Sequence, residues 1–505
     1  MRLAVTSLVV ICLSAIAAQA QAPSSFKHVV VIVQENRTPD NLFQGLCVAP
    51  FGSSTSCSTT PAAGQYDIQT SSWLTTGGAT INPKKVALAN TYDLDHSHTA
   101  FLEMCDKSTP VTDVSPTCKM DGASLINCKA KTGTTCPGTP QFKFVANSKR
   151  ILNPYLTLAT QYGWANFMFQ TNQGPSFPAH QFIFGGTSAP TAGDDPQGVY
   201  ASENMLKSGG TGGTNITAGC IAAAATKTKE IMPDGDESTL IYPCFEHQTM
   251  GDLLDNGPTS GPNTSPITWR YYAPSAGSIW TAPDAIQHIC GSTGPGGQCT
   301  GPIWNAHVDV PNAATGQKGS ADILTDIGGC NLQQVSWVIP TGQNSDHAND
   351  SDGGGPSWVA SIVNAIGTAN SCDGGAGYWN DTAILITWDD WGGWYDHEPP
   401  TILPGPTGDY QYGFRVPFIF VSAYTPKGYI NNVRHDFGSI LRFLEHNFDL
   451  PDQGLTFADA RSQSNLTEFY NFAQSPRQFQ NVTAQKNAAF FLNDKRKQLD
   501  PDDDQ

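Results

Sequence analysis

TAILITWDDWGGWYDHEPP, residues 382–400, begins as an apolar and β-branched run and breaks abruptly into two adjacent carboxylates, Asp389 and Asp390, before Gly392 and Gly393. A strand buried on both faces reads as an unbroken apolar run, and an open α/β sheet keeps its ligands beyond the carboxyl ends of its strands. The stretch therefore predicts a central strand with Asp389 and Asp390 at its ligand end. Paired carboxylates repel each other and resist desolvation unless a cation or a proton shares their site, and oxygen-rich pairs of this kind suit divalent metals. Taken alone, the same residues also read as a strand-ending turn in which Asp caps the next segment.

Outward from this strand the pattern recurs. Lys27 to Gln34, KHVVVIVQ, predicts a second strand delivering Glu35, Asn36 and Arg37 at its carboxyl end. Further strands are predicted at Ile267 to Ala273, Val335 to Ile339 and Val416 to Ala423. Helical patterns lie at Asn153 to Tyr162, Thr249 to Asn256, Ser357 to Ile366 and Gly438 to Phe448. Strands alternating with helices predict an α/β sandwich.

Three loops carry residues fit for chemistry. Asp93-Leu94-Asp95-His96-Ser97-His98 offers imidazoles beside carboxylates, able to contact an anion or move a proton near neutral pH. His347 follows the strand that ends at Ile339. Gly174-Pro175-Ser176-Phe177-Pro178 holds Ser176 on a tight turn at an expected helix start, where amide N–H groups favour an anion and a hydroxyl can act as a nucleophile. An ordinary turn serine reads the same way. No GxSxG occurs in the chain, which argues against a Ser-His-Asp esterase.

The 505 residues fit one large α/β domain with long insertions, and 49 Gly, 35 Pro and only 14% charged residues place long loops between its elements. Met1 to Ala20 reads as a signal peptide, with Arg2, an apolar run and Ala18-Gln19-Ala20 as its cleavage site. No other apolar run is long enough for a membrane span, so no stable membrane insertion is expected. The expected organisation is a signal peptide over 1–20, one domain over 21–450 and a C-terminal extension over 451–505, its polar end solvated. A secreted or periplasmic protein follows. Setting aside Cys12 in the signal peptide leaves an even number of cysteines out of 13, as expected of disulfides pinning loops that lack a core. Spacing does not determine connectivity. Pairing sequence neighbours gives Cys47 with Cys57, Cys105 with Cys118, Cys128 with Cys136, Cys220 with Cys244, Cys290 with Cys299 and Cys330 with Cys372. A net charge of −17 disfavours nucleic acid and anionic membranes as partners, and an anionic substrate would need a local positive centre.

Taken together, HVVVIVQENRTPDNLF, DLDHSH, GPSFPAHQF, VSWVIP with SDHAND, and ITWDDWGGWYDHEPP, in that order over Lys27 to Leu450, resemble the phosphoesterase family of phospholipases C and a bacterial acid phosphatase. The resemblance implies an alkaline-phosphatase-like three-layer sandwich with a central, mostly parallel sheet, and a metal-assisted phosphoric ester hydrolase. Carried over by motif, Glu35, Asn36, Asp389 and Asp390 become metal or phosphate ligands, Ser176 the nucleophile, and His96 and His347 phosphoryl contacts or proton carriers. Asp396 and His397 match the YDH motif with a structural role. The chain departs from the family at Thr38-Pro39-Asp40-Asn41, where Ser-Phe-Asp-His is usual, and at Asp390, where Glu is usual. Phosphoester cleavage needs an in-line nucleophile, positive charge on the equatorial oxygens and a proton for the leaving group, and this set supplies all three. The implied cofactor is one divalent metal whose identity stays open: oxygen ligands suit magnesium, calcium or manganese, while phosphatases of similar fold often use zinc. The implied substrate is a phospholipid or a small phosphomonoester. From another class, a non-catalytic extracellular binding protein on the same sheet is the alternative.

Overall fold

The computed structural model describes residues 24–105, 118–206, 217–259, 264–404, 409–451 and 453–496; the expected signal peptide lies outside them. Its centre is an eight-stranded sheet. In chain order the strands are β1 His28–Gln34, β2 Gly163–Phe169, β3 Trp269–Tyr272, β4 Val308–Asp309, β5 Val335–Val338, β6 Thr382–Trp388, β7 Phe418–Val421 and β8 Tyr429–Asp436. They lie in the order β4-β3-β5-β1-β6-β7-β2-β8, and all run parallel except β7, which is antiparallel to both its neighbours. The apolar run of 382–388 is fully buried and pairs along its whole length with β1, Gln34 opposite Trp388.

β2, β4 and β8 were not legible as strands. Asn166 interrupts the first, and the last is an edge strand whose Asn431, Asn432 and Arg434 break the apolar alternation. The main helices are α1 His98–Met104, α2 Asn153–Gln161, α3 Ser176–Gly185, α4 Gly355–Thr368, α5 Phe437–Asn447, α6 Thr456–Arg461 and α7 Ala488–Leu492. Six of them pack as two groups: α2 and α7 on α4, and α3 and α6 on α5.

One expectation needs correction. The insertion after Phe43 has a core of its own: Trp73, Tyr92, Leu94 and Phe101 bury against Trp391, Trp394 and Phe414, forming a second apolar cluster over the end of β6. The extension after Leu450 packs back on the domain over residues 453–496. Leu455, Leu466, Phe469, Val482 and Phe491 are buried in the main core, because the flanks of the sheet present aromatic faces, Phe420 for one, that the tail covers. The acidic end beyond Arg496 lies outside the described residues.

All six neighbour pairs are disulfides, closing loops from 8 (Cys128–Cys136) to 42 residues (Cys330–Cys372). Mass mapping without reductant should recover these six links and no free thiol among their cysteines; several alkylatable cysteines there would overturn the framework. Such closures act mainly by removing freedom from the unfolded chain, most for the longest loop.

Candidate active site

β1 and β6 are neighbours in register, so the residues that follow them leave the sheet side by side. Asp389 N–H donates to the Gln34 carbonyl, and the next turn of chain brings Asn36 N–H to Asp389 Oδ1 at 3.0 Å. Asn36 holds a left-handed conformation, with φ at 58°. The turn that follows Asp390 must be glycine: a Cβ at Gly392 would lie 2.6 Å from the Asn36 carbonyl oxygen, and at Gly393 2.6 Å from that of Asp95, with φ positive at both. Gly392-Gly393 thus lets the β6 end close on both the Glu-Asn-Arg turn and the His96 loop.

From the opposite side α3 enters with Ser176 as its first residue. Asn204 Oδ1 accepts from Phe177 N–H at 2.9 Å and fixes the helix start. The Ser176 hydroxyl donates to Asp390 Oδ2 at 3.0 Å, while Asp390 Oδ1 accepts from Gly392 N–H. One turn further along α3, His180 Nε2 stands 3.3 Å from Glu35 Oε1 and 3.7 Å from Asp389 Oδ2.

The two loop histidines also reach this place. His96 Nδ1 lies 2.7 Å from the Leu94 carbonyl, which can only accept, so that nitrogen carries the proton. Its Nε2 is left to accept from the Asn36 amide at 3.0 Å, and it faces Asp390 Oδ2 at 3.9 Å. The His347 ring centre is 6.1 Å from that of His96, and its Nδ1 donates to the Ala348 carbonyl. Ser176, His96, His347, Glu35, Asn36, Asp389 and Asp390 are therefore gathered in one place, all buried.

The electrostatics are unbalanced. Burial, and then the charge of Asp389, push both Glu35 and Asp390 well above the usual carboxylate range, while burial drives the His180 ring down to about 4. Glu35 Oε2, Asn36 Oδ1 and Asp389 Oδ2 are buried oxygens with no hydrogen-bond partner. Buried acceptor oxygens without a donor fit a divalent cation, and Glu35, His180 and Asp389 present one ligand atom each, all within 4.8 Å of one another.

Other candidates fall away from this centre. Arg37 donates to the Asp346 carbonyl at 2.9 Å and lies over Trp394, holding the His347 loop. Asp346 accepts from Tyr155 and Trp388, and burial raises it to about 6. His98 pairs with Glu237, His288 with Glu246 and Asp252, and His307 stacks on Trp269. His180 was not singled out from the sequence, although it lies within the GPSFPAHQF motif, one turn after Ser176.

The YDH residues form a brace. Arg415 binds Asp396 through two nitrogens and Asp67 through a third, and His397 bridges Asp40 at 2.7 Å and Asp67 at 3.2 Å. Burial alone would lower the His397 ring, but Asp40 and then Asp67 outweigh it and push it up to about 10. A histidine raised in the fold contributes stability that is complete below its unfolded value of about 6.5 and is lost as pH rises through the folded value. Thermal stability should therefore decline between about pH 6.5 and 10, and His397→Gln should flatten that decline; an unchanged slope in the variant would remove His397 as its source.

Parallel strands ending in carboxylates that could hold a metal ion, opposite a helix start that carries a hydroxyl, define an α/β protein. The chain belongs to the Phosphoesterase family, whose profile matches residues 26–451. It is similar to a non-hemolytic phospholipase C of Pseudomonas aeruginosa, 27% identical over 28% of this chain and 24% of the relative. It is also similar to phospholipase C B of Mycobacterium tuberculosis, 27% identical over 31% of this chain and 32% of the relative. A non-hemolytic phospholipase C of Burkholderia pseudomallei is 29% identical over 27% and 23%. The chain thus matches about a quarter to a third of the length of these relatives. A solved structure, a protein in the alkaline phosphatase superfamily from Vibrio parahaemolyticus, shares 10% identity over 63% of this chain and 64% of that one at a TM-score of 0.33, a likeness too slight to argue from.

Proposed function

We propose that the protein is an exported hydrolase of phosphoric esters with Ser176 as nucleophile and a divalent cation held by Glu35, Asn36, Asp389 and Asp390. One observation carries the reading: the Ser176 hydroxyl, at the start of a ten-residue helix, already donates to Asp390 within a cluster of carboxylates that lacks a counter-charge. Family membership and relatives named as phospholipases C support the substrate class. Six disulfides support an oxidising compartment. Among the described residues no helix is long and apolar enough to cross a membrane.

When bound, the cation supplies positive charge to the phosphoryl oxygens and lowers the cost of ionising a hydroxyl beside it. The chain's own residues do the rest. Of the first-turn amides of α3, Phe177 N–H is taken by Asn204, Pro178 has none and Ala179 N–H bonds the Pro175 carbonyl, so the Ser176 N–H is the one to receive a phosphoryl oxygen, and Asp390, ionised when the cation is bound, takes the serine proton. The Ser176 Oγ–phosphorus bond forms as the bond from phosphorus to the leaving oxygen breaks, and that oxygen takes a proton from His96 or His347 in its doubly protonated, imidazolium form. Water then cleaves the phosphoseryl ester, which releases phosphate or a phosphomonoester and restores the hydroxyl.

Substrate choice between a phospholipid-type diester and a small phosphomonoester is tested with p-nitrophenyl phosphorylcholine and p-nitrophenyl phosphate side by side, with and without chelator. Chelator-sensitive turnover of one or both is expected. Turnover of neither with metal supplied would favour the extracellular binding protein on the same sheet.

A further inference from the structure

We propose that the cation centre takes a nitrogen ligand, Nε2 of His180, together with carboxylate oxygens of Glu35 and Asp389, and that it therefore selects a borderline transition metal, zinc foremost, over magnesium or calcium. The inference rests on the metal-dependent reading above and deepens it, because the residues given there are oxygen donors only.

The geometry is that of a ligand set. His180 Nε2, Glu35 Oε1 and Asp389 Oδ2 converge from α3, β1 and β6, with separations of 3.3 and 3.7 Å from the nitrogen to the two oxygens. Ligands about 2.0–2.1 Å from a tetrahedral zinc lie roughly 3.4 Å apart, whereas neighbouring ligands of an octahedral magnesium lie at about 3.0 Å. The oxygens are also divided suitably. Asp389 Oδ1 is taken by Asn36 N–H, which leaves Oδ2, the atom facing His180, with no hydrogen-bond partner. Glu35 Oε2 is likewise without one. The hydrogen bond that the ring offers to Glu35 Oε1 answers neither of these oxygens and leaves a buried acidic pair uncompensated. A cation bound by all three groups takes up Asp389 Oδ2 directly and supplies the countercharge for the acidic pair.

Imidazole favours zinc, iron, nickel and copper, whereas magnesium and calcium are hard ions that prefer oxygen throughout. The ring is held by its helix. His180 Nδ1 has no hydrogen-bond partner, so its orientation comes from its place on α3, a helix buried over its whole length. Ser176 and the nitrogen ligand then sit one turn apart on one rigid element, which couples the position of the hydroxyl to that of the cation.

The test measures binding, apart from activity. Metal-stripped protein is titrated calorimetrically with zinc, magnesium and calcium, alongside His180→Gln and His180→Asp. Loss of an outer-shell partner alone costs about 10–100-fold in affinity, so His180→Gln should weaken zinc binding by on the order of 100-fold or more and leave magnesium binding nearly unchanged. His180→Asp, with an oxygen in place of the nitrogen, should move the preference towards magnesium or manganese. Pulsed electron paramagnetic resonance of wild-type protein loaded with Cu²⁺ should show coupling to an imidazole nitrogen, a readout that survives if a variant does not fold. Preference for magnesium or calcium in the wild type, with no nitrogen coupling, would overturn this inference and leave metal dependence standing. No binding of any divalent ion would overturn the metal-dependent reading itself.

Discussion

Ser176→Ala is expected to reduce turnover by about three to six orders of magnitude, the scale seen when a covalent nucleophile is removed while binding and electrostatic groups remain. The hydroxyl is the first residue of α3 and its Oγ lies 3.0 Å from Asp390 Oδ2, so the substitution deletes the attacking atom and little else. It leaves one oxygen of a buried carboxyl without its donor, a cost of about 1–3 kcal/mol that a chain with this core should withstand. Metal content should be unchanged. With an activated aryl phosphate the wild type should give a burst of phenol, and acid quenching should trap phosphate on the peptide containing Ser176, whereas the variant should show neither. If Ser176→Ala kept a large share of activity, water would be the attacking group and Ser176 an ordinary turn residue.

Asp389→Asn is the second expected loss, and its effect on stability should run against its effect on activity. Asn keeps the oxygen that accepts from Asn36 N–H but removes the charge that faces His180 and Glu35. Affinity for the cation should fall and turnover with it. In metal-free protein, however, Asp389 is one of the charges that push Glu35 and Asp390 well above the usual carboxylate range, so its removal relieves repulsion. The metal-free variant should melt no lower than metal-free wild type. A cation at 100 times its dissociation constant stabilises the wild type by about 2.7 kcal/mol, and the variant should lose that gain. Scanning calorimetry with and without metal reads both effects. Near-normal turnover with unchanged metal content would return Asp389 to the role of a turn cap.

The two strands that build the site were legible because their information is local. VVVIV and AILIT are continuous apolar runs, as strands buried on both faces must be, and the acids that follow them mark the carboxyl edge of the sheet. Ser176 at a helix start could likewise be read from glycine and proline on either side of it. The neighbour pairing of the cysteines proved right, but spacing alone could not have chosen it.

His180 could not be found in this way, nor could the Arg415 brace or the buried tail. His180 and Glu35 are 145 residues apart, and Arg415 reaches Asp67 across 348. Apolar periodicity tells which face of an element is buried and is silent on what meets that face. α3 is buried on every side, so its pattern marks no functional face, and a histidine within it reads like any core residue. The class of the sheet and the acids at its edge follow from the order of residues along the chain. Which nitrogen faces those acids, and what charge they share, follows only once α3 is packed against β1 and β6, because charges interact through space and not through sequence.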